Sequence, residues 1–122
     1  MRQAVRLQQV YETYRDRADF HWVYIREAHA IDGPRPSRTV QIKQPTTDEE
    51  REAVATNCAE AIDLRIPLLI DDIEDTVMKA YDAWPDRLFI INSDGRISYR
   101  GGRGPGGFNV AEMERALQGI LE

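Results

Sequence analysis

Apolar positions along the chain change their period several times, and each change marks an element. Ala4, Leu7, Tyr11 and Tyr14 recur at three- and four-residue spacing among Arg and Gln, which predicts a helix over residues 3–17. Phe20 to Ile25 is aromatic and β-branched, of a length that predicts a strand buried on both faces. Pro34, Pro36 and Pro45 then make residues 33–46 a loop, in which Val40 and Ile42 alternate with polar neighbours and allow a short edge strand. Thr47, with Glu50 three residues later, is a capping box opening a helix whose predicted apolar stripe is Val54, Cys58, Ala61 and Ile62. Pro67 to Ile70 predicts a short buried strand ending at Asp71 and Asp72, followed by a short helix through Val77, Met78 and Tyr81. Leu88 to Ile91 is another buried strand, and Asn92-Ser93-Asp94-Gly95 is a hairpin turn in which glycine supplies the positive φ. Arg96 to Tyr99 alternates and should pair antiparallel with it. After a loop with five glycines between Gly101 and Gly107, Asn109 and Glu112 predict a second capping box, with Val110, Met113, Leu117 and Ile120 toward the core.

This order predicts an α/β chain, and its 122 residues fit one domain, 1–122, without internal repeats or a dividing linker. The net charge of -5 and the pI near 5.1 argue against a general nucleic-acid binder. No run approaches the ~18 apolar residues of a membrane span, and the first residues lack the apolar core of a signal peptide. Taken at face value, the expectation is a cytoplasmic protein without membrane or nucleic-acid partners. The 14 Arg against 2 Lys read as codon bias of a GC-rich, bacterial genome. Cys58 is the only cysteine, so neither an intrachain disulfide nor a CxxC pair exists. It falls on the expected apolar stripe of its helix and reads as a small hydrophobe. Asp71, Asp72, Glu74 and Asp75 have the composition of a metal site, but acidic residues at a helix start are more simply explained by the helix dipole. His21 has no second histidine at ligand spacing, so no metal is expected.

Strand, helix, strand and hairpin, closed by a helix, resembles the second half of a thioredoxin-like fold. That resemblance implies a mixed sheet with flanking helices, and a cis proline before the hairpin strand. Pro85 takes that position as an active-site structural residue. Tyr24-Ile25-Arg26-Glu27-Ala28-His29-Ala30-Ile31-Asp32-Gly33 resembles the Y-I-x-E-A-H-x-x-D-G stretch of iodothyronine deiodinases and their bacterial relatives. Tyr99-Arg100-Gly101-Gly102-Arg103-Gly104-Pro105 is similar to the Y-x-G-G-R-G-P near the end of some members, and Trp84-Pro85-Asp86-Arg87-Leu88-Phe89 is close to the family pattern. Pro34 stands where members often have Trp, and the segment after it is shorter than in animal members.

The resemblance implies a thiol- or selenol-dependent oxidoreductase that removes halogen reductively or performs related chemistry, recycled by an external thiol and using no bound cofactor. The substrate expected is a small molecule, a halogenated aromatic or a peroxide. In the family a first, central strand and a selenocysteine-containing turn precede the opening helix. By this register the selenium would fall a few residues ahead of Met1. The expectation is a fold lacking its first strand, a nucleophile upstream of Met1, and no activity from these residues alone. A start codon misassigned downstream of a UGA would explain it. Unpaired strand edges then predict a homo-oligomer.

Glu27 and His29 lie two apart where a strand runs out, so their side chains can share a side, and histidine is the usual proton carrier at neutral pH. The resemblance implies catalytic proton transfer for both; the plainer reading is a strand-end glutamate and a loop histidine at the surface. Arg103 in the glycine loop is implied to bind substrate, a guanidinium suiting carboxylate or phenolate, against the alternative of a solvated loop arginine. Asp32 is a turn residue or orients His29 at the substrate side. Two other functions stay open: a redox-dead thioredoxin-fold binding module, and a peroxiredoxin-like reductase.

Overall fold

The structure is a computed structural model, and it describes residues 2–27 and 43–122. The element order is α1 (Arg2–Tyr14), β1 (Trp22–Tyr24), α2 (Asp48–Ala61), β2 (Leu68–Ile70), α3 (Thr76–Tyr81), β3 (Phe89–Ile91), β4 (Ile97–Arg100) and α4 (Val110–Leu121). The chain is therefore mixed α/β. Val40 and Ile42, the expected edge strand, lie outside the described residues.

The elements group into two compact units. One comprises residues 1–20 and 86–122, and holds α1, β3, β4 and α4. Helix α1 packs against α4, and their buried side chains are Leu7, Val10 and Tyr14 on one helix and Val110, Met113 and Leu117 on the other. Ile120, predicted to face the core, is 43% exposed; it lies at the last turn of α4, past the stretch the stripe covers. Gln118 Nε2 donates to Tyr14 Oη at 2.8 Å, and Arg17 donates to the Leu121 carbonyl at 2.6 Å, satisfying an orphan acceptor at the end of α4.

Strands β3 and β4 form an antiparallel hairpin, with the register shifting between Ile90 and Ile91. The turn forms as expected: Gly95 N–H donates to the Asn92 carbonyl at 2.9 Å, and Gly95 has φ +84°. Asn109 caps α4 by accepting from Glu112 N–H at 3.0 Å. The reciprocal half of that capping box is diverted, because the Glu112 carboxylate accepts from Tyr99 Oη at 2.9 Å.

The other unit is residues 21–85, with α2 and α3 beside a two-stranded parallel sheet of β1 and β2. This sheet is not buried on both faces as its composition suggests. Val23 and Leu69, opposite each other in register, are 37% and 51% exposed, whereas their neighbours Trp22, Tyr24, Leu68 and Ile70 are half-buried. Thr47 caps α2 by accepting from Glu50 N–H at 3.1 Å, and the Glu50 carboxylate reaches back to Thr46 N–H and Oγ1 at 3.0 and 2.7 Å. The inward face of α2 differs from the predicted stripe: Arg51 and Ala55 are buried, and Ala61 is exposed.

Candidate functional site

Glu27 is three residues beyond the end of β1, and the β1–β2 ladder, which pairs Trp22 to Tyr24, does not reach its backbone. Its backbone N–H and C=O are held instead by a side chain seventeen residues on. Glu27 N–H donates to Gln44 Oε1 at 3.2 Å, and Gln44 Nε2 donates to the Glu27 carbonyl at 2.9 Å. Its carboxylate accepts a hydrogen bond from the Tyr24 hydroxyl. Burial, then that hydrogen bond and the charge of Glu27, push the Tyr24 phenol well above its ordinary range. Tyr24 therefore stays a neutral donor throughout the physiological range.

Lys43, Gln44, Pro45 and Thr46 form one wall of a groove of about 460 Å³, and Glu50, Ala53, Val54, Asn57 and Cys58 of α2 form the other. That volume suits one small ligand. Cys58 is half-buried here, and burial followed by the negative charge of Glu27 raises its thiol above the usual value. A thiol so placed is protonated at neutral pH and is not an activated nucleophile. Glu27→Gln removes the repulsive charge, so more Cys58 becomes thiolate at a given pH. Iodoacetamide should then alkylate Cys58 roughly threefold faster near pH 8 than in the unsubstituted chain. An unchanged rate would place the two side chains too far apart to interact.

The acidic cluster does not build a metal site, and no group of three or more metal-ligating side chains occurs among the described residues. Its carboxylates have other partners. Asp71 Oδ1 accepts from Val77 N–H and Oδ2 from Met78 N–H, both at 2.9 Å, so Asp71 satisfies the first turn of α3. Asp75 sits at the cap position with φ +63°, and its carboxylate turns away to Arg51 Nη2 at 2.9 Å. Arg51 Nη1 also donates to the Asp72 carbonyl, and Arg26 lies 4.0 Å from the other Asp75 oxygen. Asp71 thus serves the start of α3 through direct hydrogen bonds, while Asp75 answers a buried cation that hydrophobic patterning did not reveal.

In the other unit the glycine loop is folded tightly on itself. Gly104 N–H donates to the Asp86 carbonyl at 3.1 Å, and a Cβ on Gly104 would fall 1.7 Å from Asp86 Oδ1. A Cβ on Gly107 would lie 2.6 Å from the Arg103 carbonyl oxygen, a backbone atom, so Gly107 requires glycine, whereas at Gly104 the Asp86 carboxylate would have to turn aside. Arg87 Nε donates to the Gly101 carbonyl at 2.6 Å. Arg103 is exposed at this loop. The Trp84–Pro85 peptide bond is cis, as expected, and so is Gly104–Pro105, which was not.

His29 and Asp32 lie outside the described residues. His21 is exposed and precedes β1 rather than belonging to it. Sequence reasoning singled out Glu27 but missed Tyr24 and Gln44 as its partners. Tyr24 lies in the family-like stretch but nothing local marks it as a partner of Glu27, and Gln44 carries no local signal.

A sequence profile of the family described as Iodothyronine deiodinase matches residues 1–120. The chain belongs to the iodothyronine deiodinase family. It is 35% identical over 115 residues to a thyroxine 5-deiodinase of Sparus aurata, covering 91% of this chain and 41% of the relative. It is 34% identical over 112 residues to that of Ovis aries, covering 91% and 38%, and 33% identical over 115 residues to that of Mus musculus, covering 91% and 36%. This deiodinase-family chain thus spans about two fifths of the length of these curated relatives. Among the described residues, no helix is long and apolar enough to cross a membrane.

Proposed function

We propose that this deiodinase-like oxidoreductase domain takes part in the reductive removal of halogen from a small aromatic, within a thioredoxin-like arrangement whose attacking selenium or sulfur is carried ahead of α1. In this reading a selenolate or thiolate attacks the halogen of an aryl halide, and the carbon–halogen bond breaks. The ring carbon takes up a proton, giving the arene and a selenenyl or sulfenyl halide. Two external thiols then release halide and two protons, form one disulfide, and return the nucleophile. Family membership supports the reductive chemistry. The observation that carries the assignment of residues is the fixing of Glu27 by Tyr24 and Gln44 near the groove at α2. In this reading Glu27 and His29 have the proton-handling roles, Arg103 and Asp32 the substrate-binding roles, and Pro85 a structural role, as the family resemblance assigns them.

The protonated state of Cys58 favours a second reading for the 122 residues taken alone, a module that binds without turnover. One experiment separates the two. The coding frame upstream of Met1 is translated, and a chain extended through it, with cysteine in place of any selenocysteine, is assayed with iodinated phenols and excess dithiothreitol. Halide release by the extended chain, and none by residues 1–122, is the expected result. An extended chain that binds iodophenol but releases no halide would leave the binding module.

A further inference from the structure

We propose that Gln44 is the positioning residue of Glu27, standing in for a neighbouring strand and fixing Glu27 relative to the start of α2. This rests on the reading of Glu27 as a proton carrier. Glu27 leaves β1 with its backbone N–H and C=O in need of partners, and an orphaned half-buried peptide is costly. A primary amide presents one acceptor and one donor in a single plane, the same pair a strand neighbour would offer. Gln44 delivers both, at 3.2 and 2.9 Å. The two bonds hold the peptide groups on either side of the Glu27 Cα, which restrains the residue's backbone dihedrals as well as its position, and the Tyr24 hydroxyl adds a third point on the carboxylate.

Gln44 is itself held. Pro45, which follows, is buried, has a fixed φ and lacks an N–H that could compete. Being before proline also restricts Gln44 to extended backbone. Two residues further on, Thr47 caps α2. The amide that clamps Glu27 is therefore anchored to the helix carrying Cys58, and it lines the same groove as that thiol.

The test uses the 122-residue chain labelled with nitrogen-15, following exchange of the Glu27 amide and titration of the Tyr24 phenol. Gln44→Leu should speed Glu27 exchange about tenfold, and bring the Tyr24 phenol down toward its ordinary range as the carboxylate swings free. Gln44→Glu is the sharper variant. A protonated carboxyl copies the donor and acceptor of the amide, whereas an ionised one sets an oxygen against the Glu27 carbonyl. Protection should be native-like at about pH 4 and lost by about pH 7, which a packing role would not produce. Among the described residues the surrounding charged and titratable groups, Glu27, Tyr24, Lys43, Glu50, Arg51 and Cys58, are shared by both variants, so Gln44→Leu controls for them. Unchanged protection in Gln44→Leu, or a flat profile in Gln44→Glu, overturns the proposal. In the upstream-extended chain, Gln44→Leu should lower kcat about tenfold with KM moved less. If Glu27→Gln abolishes turnover and Gln44→Leu does not, the positioning role fails and the proton role stands. If Glu27 exchange answers Gln44 while Glu27→Gln leaves turnover intact, the clamp stands and the proton role fails.

Discussion

Replacing Arg51 with leucine is expected to lower the unfolding free energy by about 3–5 kcal/mol, the usual cost of breaking a buried ion pair from one side. Arg51 has a side chain 2% exposed, and its guanidinium donates to Asp75 Oδ1 and to the carbonyls of Asp71 and Asp72. Removing it strands a carboxylate that is itself 10% exposed, and among the described residues the remaining cation is Arg26, 4.0 Å away and half in water. It also removes the 3.5 Å bond to the Asp71 carbonyl and one of two donors to the Asp72 carbonyl, which keeps the Asp75 N–H at 2.9 Å. The guanidinium is not ideally satisfied, because its Nε has no hydrogen-bond partner among the described residues. That lowers what the pair contributes net, but not what its disruption costs, since the cost comes from the group left behind. The reciprocal change Asp75→Asn keeps a residue that tolerates φ +63° and should cost less. Combined, the two substitutions should fall short of additivity by about 1–3 kcal/mol. Urea unfolding with the m-value unchanged is the measurement, and an Arg51→Leu cost under about 1 kcal/mol would show that α2 is held to this turn by other contacts.

The elements that sequence alone placed correctly are those whose cause is local. The Asn92–Gly95 turn and the Thr47 and Asn109 caps each depend on residues three or four apart, and all formed. Where the cause lies far along the chain, the pattern misled. Periodicity places an arginine outward by default, so Arg51 was passed over in favour of Ala61, although its partners wait 20–24 residues downstream. The same gap hid the purpose of Asp75, which looked like one of several acids at a helix start. The candidate site divides in the same way. Glu27 stood out because it sits inside a recognisable stretch, whereas the Gln44 contact crosses seventeen residues and involves a side chain of no special chemistry. Strands β1 and β2 gave their existence to the sequence but not their exposure. Continuous apolar runs predict two covered faces, and the Val23–Leu69 pair shows one that is open within this two-stranded sheet.

Glu27→Gln in the upstream-extended chain should lower kcat by about 10²–10⁴-fold, the range lost when a positioned proton carrier is removed. Glutamine keeps the volume of glutamate and can still accept from the Tyr24 hydroxyl, so the local fold and the Gln44 clamp on the backbone should survive. What it cannot do is exchange a proton with the ring carbon or with a histidine that relays one. KM should therefore change little, the signature of an interaction used in the transition state rather than in binding. Glu27→Asp retains the carboxylate but draws it back by one methylene, and should recover part of the rate lost in Glu27→Gln. Tyr24→Phe separates proton transfer from orientation. The carboxylate remains, but the hydroxyl that aims it is gone, so the loss should be smaller than for Glu27→Gln, on the order of tenfold. Halide release under saturating thiol distinguishes these outcomes. Equal kcat for Glu27→Gln and the parent would mean that protonation is handled elsewhere and that Glu27 serves only to hold the exit of β1.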